Sequence, residues 1–139
     1  LEHRFEFFKI INGISFINDS KSTNIDSVVA ALSSLDKNVI LILGGSPKEE
    51  DFSKICEHSH KIDKVFAYGD AAQIINESIG KKINIEIKKD FVQVVENSIK
   101  SAKNGQIVLL SPGCSSYDQF NNYIERGNSF KNIVERYYA

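Results

Sequence analysis

Residues 39 to 45 read VILILGG, five apolar residues in a row stopped by two glycines. A strand with one solvated face alternates apolar and polar side chains, because successive side chains point to opposite faces. An unbroken apolar run of strand length implies cover on both faces, as for a central strand of a parallel sheet. Working outward from Val39–Leu43, further strands read at Val65–Tyr68, Ile83–Ile87 and Ile107–Leu110, the last closed by Ser111-Pro112-Gly113. Helical spacing fills the gaps. Ile25, Val28, Val29, Leu32 and Leu35 mark one helix, with Thr23 or Asn24 as its N-cap. A short helix reads over Asp51–His60 and another over Ala71–Ile79. Phe91, Val94, Val95, Ile99 and Ala102 mark a longer one, and Phe120, Tyr123, Ile124, Phe130, Ile133, Val134 and Tyr137 the last. Residues 5 to 18, FEFFKIINGISFIN, are two β-prone runs around Asn12-Gly13, the favoured type I′ hairpin turn. Strands alternating with helices imply right-handed crossovers. The expected structure is one α/β domain over residues 1–139: Rossmann-like, with a mostly parallel sheet of about six strands, helices on both faces and an N-terminal hairpin.

The composition narrows the function. The 139 residues suffice for one domain with a real core, and 42% hydrophobic with 25% charged residues is ordinary for a globular protein. A formal net charge of -1 gives no global field to draw nucleic acid or an anionic membrane surface. No apolar run approaches the roughly 20 residues of a membrane helix, and the charged Glu2 and Arg4 do not suit a signal peptide. Two cysteines make no disulfide framework, which points to a reducing cytoplasm. The absence of any methionine predicts a processed chain or a piece of a longer one.

In open α/β sheets, ligands bind beyond the carboxyl ends of the strands. Three polar segments follow strands here, Asp19–Asn24, Gly44–Lys48 and Ser111–Asp118, and topology puts them on one edge. Lys21 and Lys48 lie in two of them, and the third leads into the last helix, whose N–H groups near Ser116 would attract negative charge. Together they suit a small anion with two negative groups. Each feature also has a plain reading: Gly44-Gly45 as a turn, Ser111-Pro112-Gly113 as loop chemistry, and each lysine as a solvated charge. Cys56, His58 and His60 crowd together, but residues two apart on a helix face different ways, so no metal site is expected. No phosphate loop of the G-x-x-x-x-G-K-[ST] type and no G-x-G-x-x-G after a strand are present, so any nucleotide triphosphate would need a cradle from elsewhere.

Four motifs, in order, carry a resemblance over essentially the whole chain: LEHRFE (1–6), NDSKSTN (18–24), LGGSPK (43–48) and SPGCSSYDQFNNYIERG (111–127). They resemble the C-terminal domain of the Mur ligases. The D-S-K-x-T-N form further resembles the D-glutamate-adding branch, UDP-N-acetylmuramoylalanine–D-glutamate ligase. The resemblance implies a three-domain enzyme in which this chain is the C-terminal amino-acid-binding domain. The other two domains would hold the UDP-sugar and, through the missing phosphate loop, ATP with magnesium. It implies that ATP phosphorylates the carboxylate of UDP-N-acetylmuramoyl-L-alanine and that D-glutamate attacks the acyl phosphate, in the cytoplasm, for peptidoglycan precursor synthesis.

By the same resemblance Arg4, Asp19 and Lys21 would contact ATP, Asp19 accepting from ribose hydroxyls. Lys21 would act catalytically beside the reacting phosphates. Thr23, Lys48, Ser116, Tyr117 and Tyr123 would hold D-glutamate. Two departures stand out: Tyr123 replaces a more usual Phe, and Pro47 removes a backbone donor from the lysine loop. Two other readings stay open from the residues alone. One is a stand-alone Rossmann-like module binding a small anion without catalysis. The other is an independent enzyme with Cys114 or Ser116 as nucleophile, which lacks a base near either residue.

Overall fold

The computed structural model describes residues 1–48 and 51–139. Strand β1 (Glu6–Ile11) turns back antiparallel into β2 (Ile14–Asn18), with Asn12 and Gly13 at φ 53° and 77° as the hairpin turn requires. Then follow α1 (Ile25–Ser33), β3 (Val39–Gly44), a 3₁₀ segment (Phe52–Lys61), β4 (Ile62–Tyr68), α2 (Ala72–Ile79) and β5 (Ile85–Lys88). Helix α3 (Phe91–Ser101), β6 (Ile107–Gly113) and α4 (Tyr123–Tyr137) complete the order. The six strands form one sheet, β1-β2-β6-β3-β4-β5, parallel except for the hairpin. The fold expected from the sequence is thus the one observed.

The run at 39–43 behaves as a doubly covered strand should. Val39, Leu41 and Leu43 join a core layer with α1, the 3₁₀ segment and α2, while Ile40 and Ile42 join a second layer with α3 and α4. All five are at most 2% exposed, and each such aliphatic side chain contributes roughly 1.5–3 kcal/mol through burial. No helix among the described residues is long and apolar enough to cross a membrane.

Boundaries differ where polar residues join an element through backbone bonds alone. Strand β4 starts at Ile62 rather than Val65, because Ile62 already pairs with Val39. Strand β6 runs on through Ser111-Pro112-Gly113, with Gly113 paired to Gly44. The short segment after β3 is 3₁₀, with non-helical backbone at His58. Helix α4 begins at Tyr123 and not at Phe120. Asn122 adopts an extended conformation, and its side chain accepts from Glu125 N, which fixes the start of the helix.

Candidate functional site

The chain leaves β2, β3 and β4 toward helices on one face, and leaves β5 and β6 toward helices on the other. The carboxyl end of β6 therefore lies between two strands whose exits diverge from its own, opening a crevice on either side. The loops after β2, β3 and β6 border it.

The loop after β2 is an interior structure. Asn18, Asp19, Ser20 and Ser22 are buried, and Lys21 between them is exposed. Asp19 Oδ1 accepts from Phe5 N at 2.8 Å. Its Oδ2 accepts from Ser111 Oγ at 2.8 Å and from Ser22 Oγ. Asp19 N donates to Leu110 O at 2.7 Å, and Lys21 N to His3 O at 2.9 Å. Asn18 Nδ2 lies 2.9 Å from His3 Nδ1 and 3.0 Å from Glu6 Oε1. One carboxylate thus joins the incoming N-terminal segment, the loop after β2 and the end of β6. Each carboxylate oxygen offers two acceptor positions, so Oδ1 keeps one.

Backbone bonds connect the three loops. Gly113 N donates to Ser22 O, and Ser46 N to Ser115 O, both at 2.9 Å. Ser46 and Ser115 form an isolated antiparallel bridge. Gly44 and Gly45 have φ of 145° and 124°, a region L side chains rarely adopt, and a Cβ on Gly45 would collide with the Ser115 carbonyl. The glycine pair is therefore more than a generic turn; it lets the loop after β3 lie against the loop after β6.

Arg4, Asp19 and Lys21 line a single cleft of ≈ 570 Å³ with Phe5, Ser22 and the flank of α1. Lys21 Nζ stands 5.6 Å from the centroid of the Tyr123 ring, a cation–π contact that sets Tyr123 beside Lys21. Thr23 is half-buried, Ser116 buried, Tyr117 73% exposed and Lys48 exposed at the far end of its loop. Lys48 makes no hydrogen bond or ion pair among the described residues. The structure thus unites the residues read for ATP more closely than those read for D-glutamate.

Ser116 corrects one expectation. Its neighbourhood does not open the last helix. The Ser116 carbonyl closes a turn by accepting from Gln119 N at 3.2 Å and Phe120 N at 2.8 Å, and α4 starts beyond it. Cys114 is fully buried in the core layer beneath α1, a setting for packing. Among the described residues no group of three His, Cys, Asp or Glu could hold a metal ion.

Arg126, quoted in the last motif but given no role, is fully buried at the centre of this assembly. Its Nη2 donates to Ser20 O at 2.6 Å, Nε to Ser20 Oγ at 3.0 Å and Nη1 to Cys114 O at 2.9 Å. A period-3.6 reading pointed elsewhere, since it marks apolar positions and passes over an arginine in a helix. Asp118 and Tyr68 lie nearby. Burial raises the Asp118 carboxyl above the usual range, with the Asp70 N–H only partly offsetting it. Burial also pushes the Tyr68 hydroxyl well up, against the positive charge of Arg126. Among the described residues neither Asp118 Oδ1 nor Tyr68 OH makes a hydrogen bond of good geometry, although Arg126 lies close enough to act on the Tyr68 hydroxyl.

Residues 3–114 match the family described as Mur ligase, glutamate ligase domain. The chain belongs to the Mur ligase glutamate ligase domain family. UDP-N-acetylmuramoylalanine–D-glutamate ligase of Caldicellulosiruptor saccharolyticus is 44% identical over 137 residues, covering 96% of this chain and 30% of that protein. The protein of the same name from Protochlamydia amoebophila is 40% identical over 134 residues, with the same coverage of 96% and 30%. This Mur ligase domain therefore spans about 30% of the length of the relatives it matches. Its fold matches UDP-N-acetylmuramate–alanine ligase of Thermotoga maritima with a TM-score of 0.69 at 16% identity, over 99% of this chain and 30% of that one. It also matches the bifunctional folylpolyglutamate synthase/dihydrofolate synthase of Yersinia pestis, TM-score 0.65 at 14% identity, over 96% and 31%.

Proposed function

We propose that this Mur ligase domain is the C-terminal, amino-acid-binding part of a ligase that adds D-glutamate to UDP-N-acetylmuramoyl-L-alanine with ATP, in peptidoglycan precursor synthesis in the cytoplasm. The observation that carries this reading is the meeting of the loops after β2, β3 and β6 at one sheet edge, each loop holding a motif of that enzyme. Identities of 40 to 46% to ligases of that name support it.

In this reading ATP supplies the phosphoryl group that activates the substrate carboxylate, and ATP and magnesium are held mainly by the enzyme's central domain. The residues of this chain bind and orient. Arg4 and Lys21 present positive charge to the phosphate side of their shared cleft, and Lys21 offsets charge that develops on the transferred group. Asp19 shapes that side chiefly through the segments it joins, with one acceptor position left for a ribose hydroxyl. D-glutamate brings two carboxylates, each needing a cation or N–H donors. Lys48, Thr23, Ser116 and the stretch from Tyr117 to Tyr123 supply them. The attacking amine has to arrive neutral and uncovered, so the domain contributes mainly orientation.

The test is phosphate release by the full-length protein with ATP, magnesium and UDP-N-acetylmuramoyl-L-alanine. Release should depend on added D-glutamate and be only weakly supported by L-glutamate. Equal rates with both enantiomers, or none with either, would remove the substrate assignment.

A further inference from the structure

We infer that Arg126 is a positioning residue for the proposed ligase site, holding Lys21 and the Ser115–Ser116 segment in their working geometry. The inference rests on the functional reading above. A buried guanidinium is costly unless its charge is compensated, and an apolar residue of similar volume generally fills such a place more stably. Among the described residues no carboxylate lies within ion-pair distance of Arg126. What surrounds it instead is a set of neutral acceptors drawn from two loops, Ser20 O and Ser20 Oγ from one and Cys114 O from the other.

The positions of those acceptors give the arginine its reach. Ser20 O and Lys21 N belong to one peptide unit. Arg126 holds its oxygen at 2.6 Å, and His3 O accepts from its N–H at 2.9 Å. A peptide unit is planar, so fixing both ends sets the direction in which the Lys21 Cα lies. Cys114 O directly precedes Ser115, whose own carbonyl receives Ser46 N at the start of the Lys48 loop. Two loops therefore hang directly on one guanidinium, and the third hangs on it through Ser115. Lysine has no equivalent, since a single ammonium on a flexible stem does not reproduce a planar fork of donors in fixed directions.

The experiment uses the full-length enzyme. Arg126→Lys keeps the charge and loses the fork. The expected result is a rise of about tenfold in the KM for D-glutamate and a fall of about tenfold in kcat, because small misplacements of reacting groups are expensive. The KM for UDP-N-acetylmuramoyl-L-alanine, read as bound by another domain, should stay within about twofold. Ser20→Ala removes the Nε acceptor, together with the hydrogen bond that Ser20 Oγ donates to Tyr123 O at 2.7 Å, and should shift the same two constants by about threefold. A lower melting temperature in both variants, with kcat and the D-glutamate KM unchanged, would mean that Arg126 merely supports the fold, and would overturn the inference. Should Arg126→Lys not fold, Ser20→Ala decides alone, and wild-type constants there overturn it. A wild-type enzyme indifferent to D-glutamate takes down the functional reading and this inference together. A working wild type with indifferent variants removes only the inference.

Discussion

Two lysines stand in loops built in opposite ways. Around Lys21 the backbone is enclosed: Asn18, Asp19, Ser20 and Ser22 are no more than 5% exposed, and Asp19, Arg126 and His3 all bond to the loop or its flanks. Among the described residues the loop that carries Lys48 is anchored at its start, where Gly45 N donates to Tyr68 O at 3.4 Å, Ser46 N to Ser115 O at 2.9 Å and Ala71 N to Gly45 O at 2.9 Å. Beyond that, Ser46 and Pro47 are half-buried and Lys48 is exposed. The contrast teaches where ordering is done. The Lys21 loop is ordered when the protein folds, so at the proposed site a ligand would meet it ready-made. In the proposed site Lys48 would keep its side-chain freedom until D-glutamate binds, at a cost of roughly 0.5–1.5 kcal/mol in binding.

The contrast can be broken most forcefully at Asp19. Asp19→Ala leaves Phe5 N, Ser22 Oγ and Ser111 Oγ without their shared acceptor. Urea denaturation should show a loss of about 3 kcal/mol. Unchanged stability would mean that the loop is not held from inside. Next comes Gly45→Ala. Strain at φ 124° and the collision with Ser115 O should cost about 2 kcal/mol and raise the D-glutamate KM by lifting one loop off the other. Lys48→Ala tests the exposed side. It should leave folding stability within about 0.5 kcal/mol while the D-glutamate KM rises about tenfold, or about 1.4 kcal/mol. An unchanged KM would take Lys48 out of the site.

The smallest effect concerns Asp118, in the loop that both others touch. Its carboxyl is raised by burial in the folded protein, so ionisation there opposes folding at neutral pH. Asp118→Asn should melt slightly higher than wild type at pH 7. That advantage shrinks as pH falls through the raised value and is gone below the ordinary carboxyl value of about 4. A pH-independent difference would show that Asp118 is not the titrating group.

The sequence made the sheet legible because period and continuity are local signals. VILIL at 39–43 could be read as doubly covered without knowing what covered it, and Asn12-Gly13 announced its turn by residue type alone. The meeting of three loops was legible too, since strand ends in a parallel sheet share an edge. What stayed hidden depended on contacts between distant positions. That Asp19 would spend its carboxylate on Phe5, Ser22 and Ser111 is invisible in a motif, because acceptors in a polar loop look alike until folding chooses their donors. Arg126 was passed over for the same reason. Its partners are 106 and 12 residues away, and charged helix residues usually face water. The misplaced start of α4 arose because Phe120 packs on the core like a helix residue while standing outside the helix.

The two rims of the sheet have a further consequence for the chain in concentrated solution. At one rim β1 is broken by a register shift between Phe7 and Lys9, and at the other β5 has only four residues and ends at Lys88, followed by Lys89. Neither offers another molecule a long, flat ladder of open hydrogen-bonding groups. Although Phe7 and Ile10 are exposed on the outer strand, crowding should favour isolated molecules over stacked, fibre-like assemblies.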